Sequence, residues 1–236
     1  MKTFEEFESS LKQLREEVGE YCEKYGRDPA SVAILPVTKR QPLDAVRYAE
    51  EAGFSAVGEN VVQEATRKAA EYSGQIQWEL IGHLQSNKAK IAVETFERIQ
   101  TVDTGKLVKR LNRLAGEQET TQRILLQINT AGDPAKHGAE ADDAEALVEA
   151  VLDCPHLLLE GFMTIGRLSS DSNEAEQAFM GLRELRDQLE AEFGHSFPEL
   201  SMGMSGDIEM AVKAGSTQIR VGTRLFGERP PSGQTA

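Results

Sequence analysis

The stretch that decides the fold is residues 201–229, SMGMSGDIEMAVKAGSTQIRVGTRLFGER. It contains two turns of small residues, 201–206 and 222–223, each at the end of a short apolar segment. Between the turns, residues 207–212 begin with acidic side chains, which favour a helix N-terminus, and Gly215 can end that helix. Glycine lets a backbone approach an anion closely, and hydroxyl and N–H groups donate hydrogen bonds to it. The two turns therefore predict a cup that holds a phosphate group.

The rest of the chain alternates short apolar segments with helical patterns. Strands are predicted at 32–37, 56–58, 77–81, 98–102, 123–128, 157–163, 199–202 and 217–221. Helices are predicted at 3–25, 42–52, 60–72, 86–93, 104–117, 140–152, 173–193 and 207–212. Eight strands that alternate with helices indicate a parallel sheet, and eight is the number that closes a (β/α)8 barrel. We predict an α/β protein: a single-domain TIM barrel over residues 1–229 with an extra N-terminal helix, and a flexible tail at 230–236.

An open doubly wound sheet is the alternative architecture. Such a sheet normally has a glycine-rich turn after its first strand, and residues 38–42 (TKRQP) contain no glycine. In a barrel, functional groups lie at the carboxyl ends of the strands, and phosphate is often held after strands seven and eight. Both small-residue turns fall there, which favours a phosphate site over the simpler explanation that they only mark loops.

Composition excludes several classes of function. The chain has 236 residues and a formal net charge of −13, whereas nucleic-acid binding requires a basic surface. No run approaches the roughly 18 apolar residues of a membrane span, and the N-terminus lacks a signal-peptide core. The cysteines are Cys22 and Cys154, and the histidines are His83, His137, His156 and His195. Their spacing predicts no metal site, and we expect a cytoplasmic protein that is a monomer.

Lys39 follows the first predicted strand, at the mouth of the predicted barrel. Most lysines in an acidic protein are solvated charges. A partly desolvated lysine beside a phosphate cup instead has a depressed pKa, and its amine can condense with an aldehyde. A phosphate cup, a lysine and a group that faces a ring nitrogen are the three requirements of pyridoxal phosphate.

Five runs, ordered from the first predicted strand to the last, add a second line of argument. They are VTK (37–39), VGENVVQE (57–64), WELIGHLQSN (78–87), GFMTI (161–165) and nearly all of 201–227. Together they resemble the pyridoxal phosphate homeostasis protein family (YggS/PROSC type), a relative of the N-terminal barrel of alanine racemase. The resemblance covers most of the chain, and the ordered set of runs is specific.

The resemblance implies a role for each matched residue at the barrel mouth. Lys39 would form the Schiff base with pyridoxal phosphate, and Arg220 would face the pyridine nitrogen. Ser201, Gly222 and Thr223 would hold the phosphate, with Ser205 as a further candidate, and Asn60 and Met163 would line the ring.

Two of the matched residues have an alternative explanation, and two further places in the sequence are compared with the family pattern. Arg220 is alternatively a surface strand residue paired with an acid, and Asn60 is alternatively the N-cap of the helix at 60–72. Lys136 matches a basic position of the family, without an assigned role. Residues 166–168 (GRL) depart from the proline often found there, a difference confined to that loop.

Strong catalysis is not expected from this set of residues. A guanidinium only donates hydrogen bonds, so a pyridine nitrogen that accepts from Arg220 stays unprotonated and the ring is a weaker electron sink than in transaminases. Racemisation also needs a second acid/base group opposite the lysine. Alanine racemases take a tyrosine from a separate C-terminal domain of the partner subunit, and we expect no such domain after residue 221. The tyrosines, all in predicted helices, are Tyr21, Tyr25, Tyr48 and Tyr72.

We therefore predict a carrier and regulator of pyridoxal phosphate that acts in intracellular homeostasis of the cofactor without strong catalytic activity. Apoenzymes that receive the cofactor are candidate partners, and neither nucleic acid nor a membrane is expected. The alternatives are an amino-acid racemase that depends on pyridoxal phosphate, a barrel that binds another phosphorylated metabolite, and a regulatory protein whose partner senses the cofactor.

Overall fold

The computed structural model describes residues 1–133, 137–166 and 172–228. The strands are β1 Ala33–Pro36, β2 Ala56–Glu59, β3 Gln77–Leu80, β4 Arg98–Val102, β5 Gln122–Gln127, β6 Leu157–Met163, β7 Glu199–Ser201 and β8 Gln218–Val221. The helices are α1 Phe4–Lys24, α2 Asp44–Glu51, α3 Val62–Glu71, α4 Ala89–Thr95, α5 Gly105–Glu117, α6 Ala144–Leu152, α7 Ser172–Phe193, α8 Ile208–Ala214 and α9 Thr223–Phe226. Among these helices, none combines the length and apolar character needed to span a membrane.

The eight strands form one parallel sheet in the order β1-β8-β7-β6-β5-β4-β3-β2, so β1 and β2 are its two ends. These ends meet at an isolated bridge between Val37 and Gly58, where the Thr38 N–H donates to the Gly58 carbonyl at 3.0 Å. The contact brings the ends of the sheet together into a nearly closed barrel. The predicted TIM barrel is confirmed, and the alternative of an open doubly wound sheet is wrong.

Helix α1 is the predicted extra helix. Thr3 and Glu6 form a reciprocal capping box that satisfies two backbone donors at its start. Its apolar stripe is buried against α8 and α9, and Phe7 stacks on Phe226 with ring centroids 5.2 Å apart. The amphipathic pattern at 3–25 therefore predicted both the helix and its packing on the barrel of the same chain.

The predicted strands and helices are present, with ends that differ by a few residues. The short helix α9 was not predicted, because a glycine followed by a threonine reads as a turn and not as a helix start. The predicted domain limits of 1–229, the tail at 230–236 and Lys136 extend into or lie outside the described residues, as do Arg167 and Leu168 of the departing loop.

We predict that Phe7→Ala lowers the free energy of unfolding by about 3–5 kcal/mol, because it removes a fully buried ring between α1 and the barrel. The control is Leu158→Ala, which truncates a side chain that is 49% exposed and should cost about 0.5 kcal/mol or less. Urea denaturation followed by circular dichroism measures both. Equal effects of the two substitutions would show that α1 does not depend on this contact.

Candidate functional site

Lys39 and Asn60 come together where the barrel closes. Lys39 lies just after β1 and is half-buried, and Asn60 directly follows β2. The Lys39 Nζ donates to Asn60 Oδ1 at 3.2 Å. Asn60 does not cap α3, because Val61 holds the N-cap position and makes no side-chain cap bond. The predicted alternative role of Asn60 as a helix cap is therefore wrong.

A glycine fixes the backbone at Asn60. A Cβ on Gly82 would lie 2.1 Å from the carbonyl oxygen of Asn60, so the loop after β3 approaches this backbone as closely as only glycine allows. The approach holds Asn60 at the mouth of the barrel, where its side chain accepts from Lys39.

Lys68 on α3 is buried directly behind the Lys39 turn, with a side chain that is 4% exposed. Its Nζ donates to Glu59 Oε1 at 2.7 Å, to Glu64 Oε1 at 2.8 Å and to the Thr38 carbonyl at 2.7 Å. The Thr38 hydroxyl donates to the same Glu59 oxygen at 2.7 Å. One ammonium group thus ties together the ends of β1 and β2 and the start of α3.

The same set of contacts holds the turn that follows Lys39. Arg40 has φ +58°, a left-handed conformation that costs a residue with a side chain about 1–3 kcal/mol. Its N–H donates to Glu64 Oε1 at 2.6 Å, the oxygen that also accepts from Lys68. The strained turn is therefore anchored to α3, and the backbone that carries Lys39 has little freedom.

Glu59 lies at the centre of these contacts and is fully buried. Burial raises the pKa of this carboxyl above its ordinary value of 4.5, and the Lys68 charge opposes that rise. Its second oxygen, Oε2, has no hydrogen-bond partner among the described residues. The carboxylate therefore depends mainly on Lys68 for compensation of its charge.

Arg220, in β8, points into the barrel and is 5% exposed. Its Nη1 donates to the Ser201 hydroxyl at 2.8 Å and its Nη2 to the Thr164 carbonyl at 2.9 Å, both neutral oxygens. Burial lowers the pKa of the guanidinium to about 10, and the charge of Asp207 partly opposes the shift. The alternative of a surface ion pair for Arg220 is therefore wrong.

Ser201, predicted to hold phosphate, is fully buried in the barrel interior. Its hydroxyl accepts from Arg220 and donates to Gln100 Oε1 at 2.6 Å, with Gln218 Oε1 at 3.2 Å. Its role as a phosphate ligand stays a prediction, and this geometry favours support of the guanidinium instead. The sequence signal for the support was a polar residue within a predicted buried strand: Gln100 in RIQTV and Gln218 in QIRV.

The two small-residue turns lie side by side, as predicted. The Arg220 N–H donates to the Gly203 carbonyl at 3.0 Å, which joins the turn after β7 to the end of β8. Gly203 has φ +99°, and a Cβ there would lie 2.4 Å from the Cβ of Ala211, so the turn requires glycine. Thr223 is exposed, and Ser205 and Gly222 are half-buried, so all three are more accessible than Ser201.

The remaining predicted residue, Met163, ends β6 next to Ser201 in the register of the sheet and is fully buried. The two halves of the candidate site adjoin, because β1 pairs with β8 and a Cβ on Gly222 would lie 3.1 Å from the Val37 carbonyl oxygen. The structure thus brings the predicted residues to one end of the barrel, while their individual contacts with a cofactor stay predictions.

We predict that Lys68→Met lowers the free energy of unfolding at pH 7 by about 3–5 kcal/mol, because it leaves the buried Glu59 charge uncompensated. Without Lys68 the pKa of Glu59 rises further, so the folded state binds the proton more tightly than the unfolded state. Stability should then increase as the pH falls from 7 towards 4.5. Urea denaturation across this pH range measures the effect.

The matched control is the double variant Lys68→Met/Glu59→Gln, which removes both charges. It should recover part of the lost stability and lose the additional pH dependence. A single variant whose stability is as insensitive to pH as that of the unaltered chain would show that Glu59 does not depend on Lys68.

Comparison with known proteins gives consistent matches along the chain. Residues 10–230 match the family model described as alanine racemase, N-terminal domain. Proteins from Vibrio alginolyticus and Pseudomonas aeruginosa, both named pyridoxal phosphate homeostasis protein, are each 38% identical to this chain. The matches cover 88% and 93% of this chain and 91% and 94% of the two relatives.

Solved structures agree with the sequence matches. PipY of Synechococcus elongatus without PLP has a TM-score of 0.81 at 38% identity, and the same protein with PLP bound has 0.78 at 36%. Each comparison covers 89% of this chain and 100% of the PipY chain. An alanine racemase from Clostridium difficile has a TM-score of 0.78 at 11% identity and covers 97% of this chain and 58% of its own, a likeness of fold alone.

Proposed function

The chain belongs to the pyridoxal phosphate homeostasis protein family, within the alanine racemase N-terminal domain family, and we propose that it binds pyridoxal phosphate as a Schiff base on Lys39 and acts as a carrier and regulator of the cofactor. The observation that carries the proposal is the placement of Lys39. Lys39 is half-buried at the barrel mouth, and its Nζ donates a hydrogen bond to Asn60 Oδ1. Lys68 holds the turn that carries it through a hydrogen bond to the Thr38 carbonyl. PipY, a structural relative, has been solved with PLP bound.

The side chains at the barrel mouth fit this cofactor by their chemistry. The cofactor supplies an aldehyde, with which a lysine amine condenses to form a C=N bond and water. Its phosphate suits the paired turns, where Gly222, Thr223 and the further candidate Ser205 are accessible. Ser201, also predicted as a phosphate ligand, is buried and bonded to Arg220. In the order of the strands, Asn60 lies on one side of Lys39 and these turns, and Met163 lies on the other side.

Arg220 suits an unprotonated ring nitrogen, which accepts a hydrogen bond, better than a protonated one, which cannot. With a pKa of about 10 it remains a cation at neutral pH, and its hydrogen bonds to Ser201 and Thr164 go to neutral oxygens. A buried guanidinium only donates, so it would hold the pyridine nitrogen in its unprotonated form. We propose this orientation for the cofactor, since it uses a charge that burial has already desolvated.

The four tyrosines explain why we propose no strong racemase activity. All lie on outer helices or their ends: Tyr21 bonds to Glu17, Tyr25 to Glu209 and Tyr72 to Glu50, while Tyr48 packs against Phe4 and Phe7. None is therefore at the mouth of the barrel, where racemisation would need a second acid/base group opposite Lys39.

Partners and location belong to the same proposal. A C=N bond on lysine exchanges with other amines, which suits delivery to recipient apoenzymes. The packing of α1 on its own barrel supports a monomer. The two cysteines are free and buried, which supports a reducing compartment such as the cytoplasm.

We predict that the purified chain with added pyridoxal phosphate shows a visible absorption band that borohydride bleaches, with the reduced cofactor mass on the Lys39 peptide. Lys39→Ala should lack both the band and the adduct. The matched control is Lys88→Ala, which removes another half-buried lysine on the same rim and should retain both. No band and no adduct in the unaltered chain would instead favour a barrel for another phosphorylated metabolite.

We predict that the loaded protein does not exchange the Cα proton of free amino acids for solvent deuterium at ordinary enzymatic rates of about 1 per second or faster. Proton NMR of a panel of amino acids in deuterated buffer measures the exchange. Exchange at such a rate that Lys39→Ala abolishes would establish the racemase alternative.

A further inference from the structure

Three side chains with metal-ligating atoms meet on the rim of the barrel. His83 follows β3, Asp103 follows β4, and His137 lies in the segment after β5. Their ligand atoms all lie within 4.8 Å of one another. His83 Nδ1 is 3.8 Å from Asp103 Oδ2, and the two imidazole rings stack with centroids 3.8 Å apart and planes 10° apart. Three loops that are separate in sequence thus converge on one point.

The contacts among these side chains do not form a self-sufficient polar cluster. A separation of 3.8 Å between His83 and Asp103 is too long for a hydrogen bond. Neutral imidazole is the form that binds metal ions. The arrangement therefore offers two nitrogen donors and one oxygen donor to a common acceptor.

The distances are within reach of a coordination site. Ligands at about 2.0–2.1 Å from a tetrahedral zinc ion lie about 3.4 Å apart. The observed separations of up to 4.8 Å therefore require the side-chain ends to move by about 1 Å. Rotation of the exposed His83 and His137 rings can supply this movement. The Asp103 side chain is only 12% exposed and would act as the fixed ligand.

We propose that His83, Asp103 and His137 bind one divalent first-row transition-metal ion. Two imidazoles and one carboxylate suit Zn²⁺ and its neighbours in the series, whereas Mg²⁺ and Ca²⁺ prefer sites of oxygen alone. His83 and His137 are exposed, and His83 lines a groove with Asn60, so solvent can complete the coordination of the ion. The spacing of the histidines in the sequence predicts no such site, because the three loops meet only when the barrel closes.

The test is isothermal titration calorimetry of the untagged 236-residue chain with Zn²⁺, with metal content confirmed by mass spectrometry. One ion per chain is expected. His83→Ala, His137→Ala and Asp103→Asn should each weaken binding by at least about tenfold, since loss of a supporting group alone costs about 10–100-fold. His195→Ala is the matched control, because it removes another exposed histidine and should leave the affinity unchanged.

A second readout uses Co²⁺ in place of Zn²⁺. Ligand-field absorption should appear on addition of Co²⁺ to the unaltered chain and be lost in His83→Ala, while circular dichroism shows that the variant remains folded. Failure to bind one ion per chain, or equal affinity in His83→Ala and His195→Ala, would overturn the proposal. Unchanged affinity in Asp103→Asn would overturn the assignment of the carboxylate as a ligand.

Discussion

The ion pair between Lys68 and Glu59 is the constraint on which the candidate site depends. Strands β1 and β2 are the two ends of the sheet, so the barrel closes only where they meet. Among the described residues they meet at one isolated bridge, between Val37 and Gly58. Lys68 lies directly beside this seam and binds the Thr38 carbonyl on one strand end and Glu59 on the other. The Lys68 ammonium group therefore joins the two strand ends beside this bridge and also holds the turn that carries Lys39.

Arg220 is another buried cation of the barrel, and its charge is compensated differently from that of Lys68. Lys68 meets two carboxylates, so its charge is neutralised within the protein and its role is structural. Arg220 meets a hydroxyl and a carbonyl, which orient the guanidinium without neutralising it. An oriented cation that has lost its water interacts strongly with any acceptor that enters, because the surroundings are of low dielectric. An arginine paired with a carboxylate would interact more weakly with a ligand, because its charge would already be compensated.

Sequence patterns predicted the barrel because each strand and helix has its own periodicity, and Lys39 because it directly follows the first strand. Lys68 was not predicted to matter, since a lysine on an amphipathic helix normally faces solvent. Ser201 was predicted at the right end of the barrel but with a hydroxyl open to phosphate, and its neighbours Gln100 and Gln218 come from other strands. A polar residue in a predicted buried strand is a local signal, but its partner is not predicted, because only the register of the closed sheet brings such side chains together.

The proposed metal site bears on the proposed lack of strong catalysis, because one of its ligands lies beside the candidate cofactor site. A fold shared with alanine racemase at 11% identity supplies a barrel mouth but does not decide which acid or base stands opposite the lysine. The tyrosines of this chain lie on its outer helices or at their ends, whereas the His83 imidazole lines the groove beside Asn60. An imidazole whose lone pair is bound to a metal ion cannot accept a proton from a substrate. Occupation of the metal site would therefore prevent His83 from acting as a base on the rim beside Asn60.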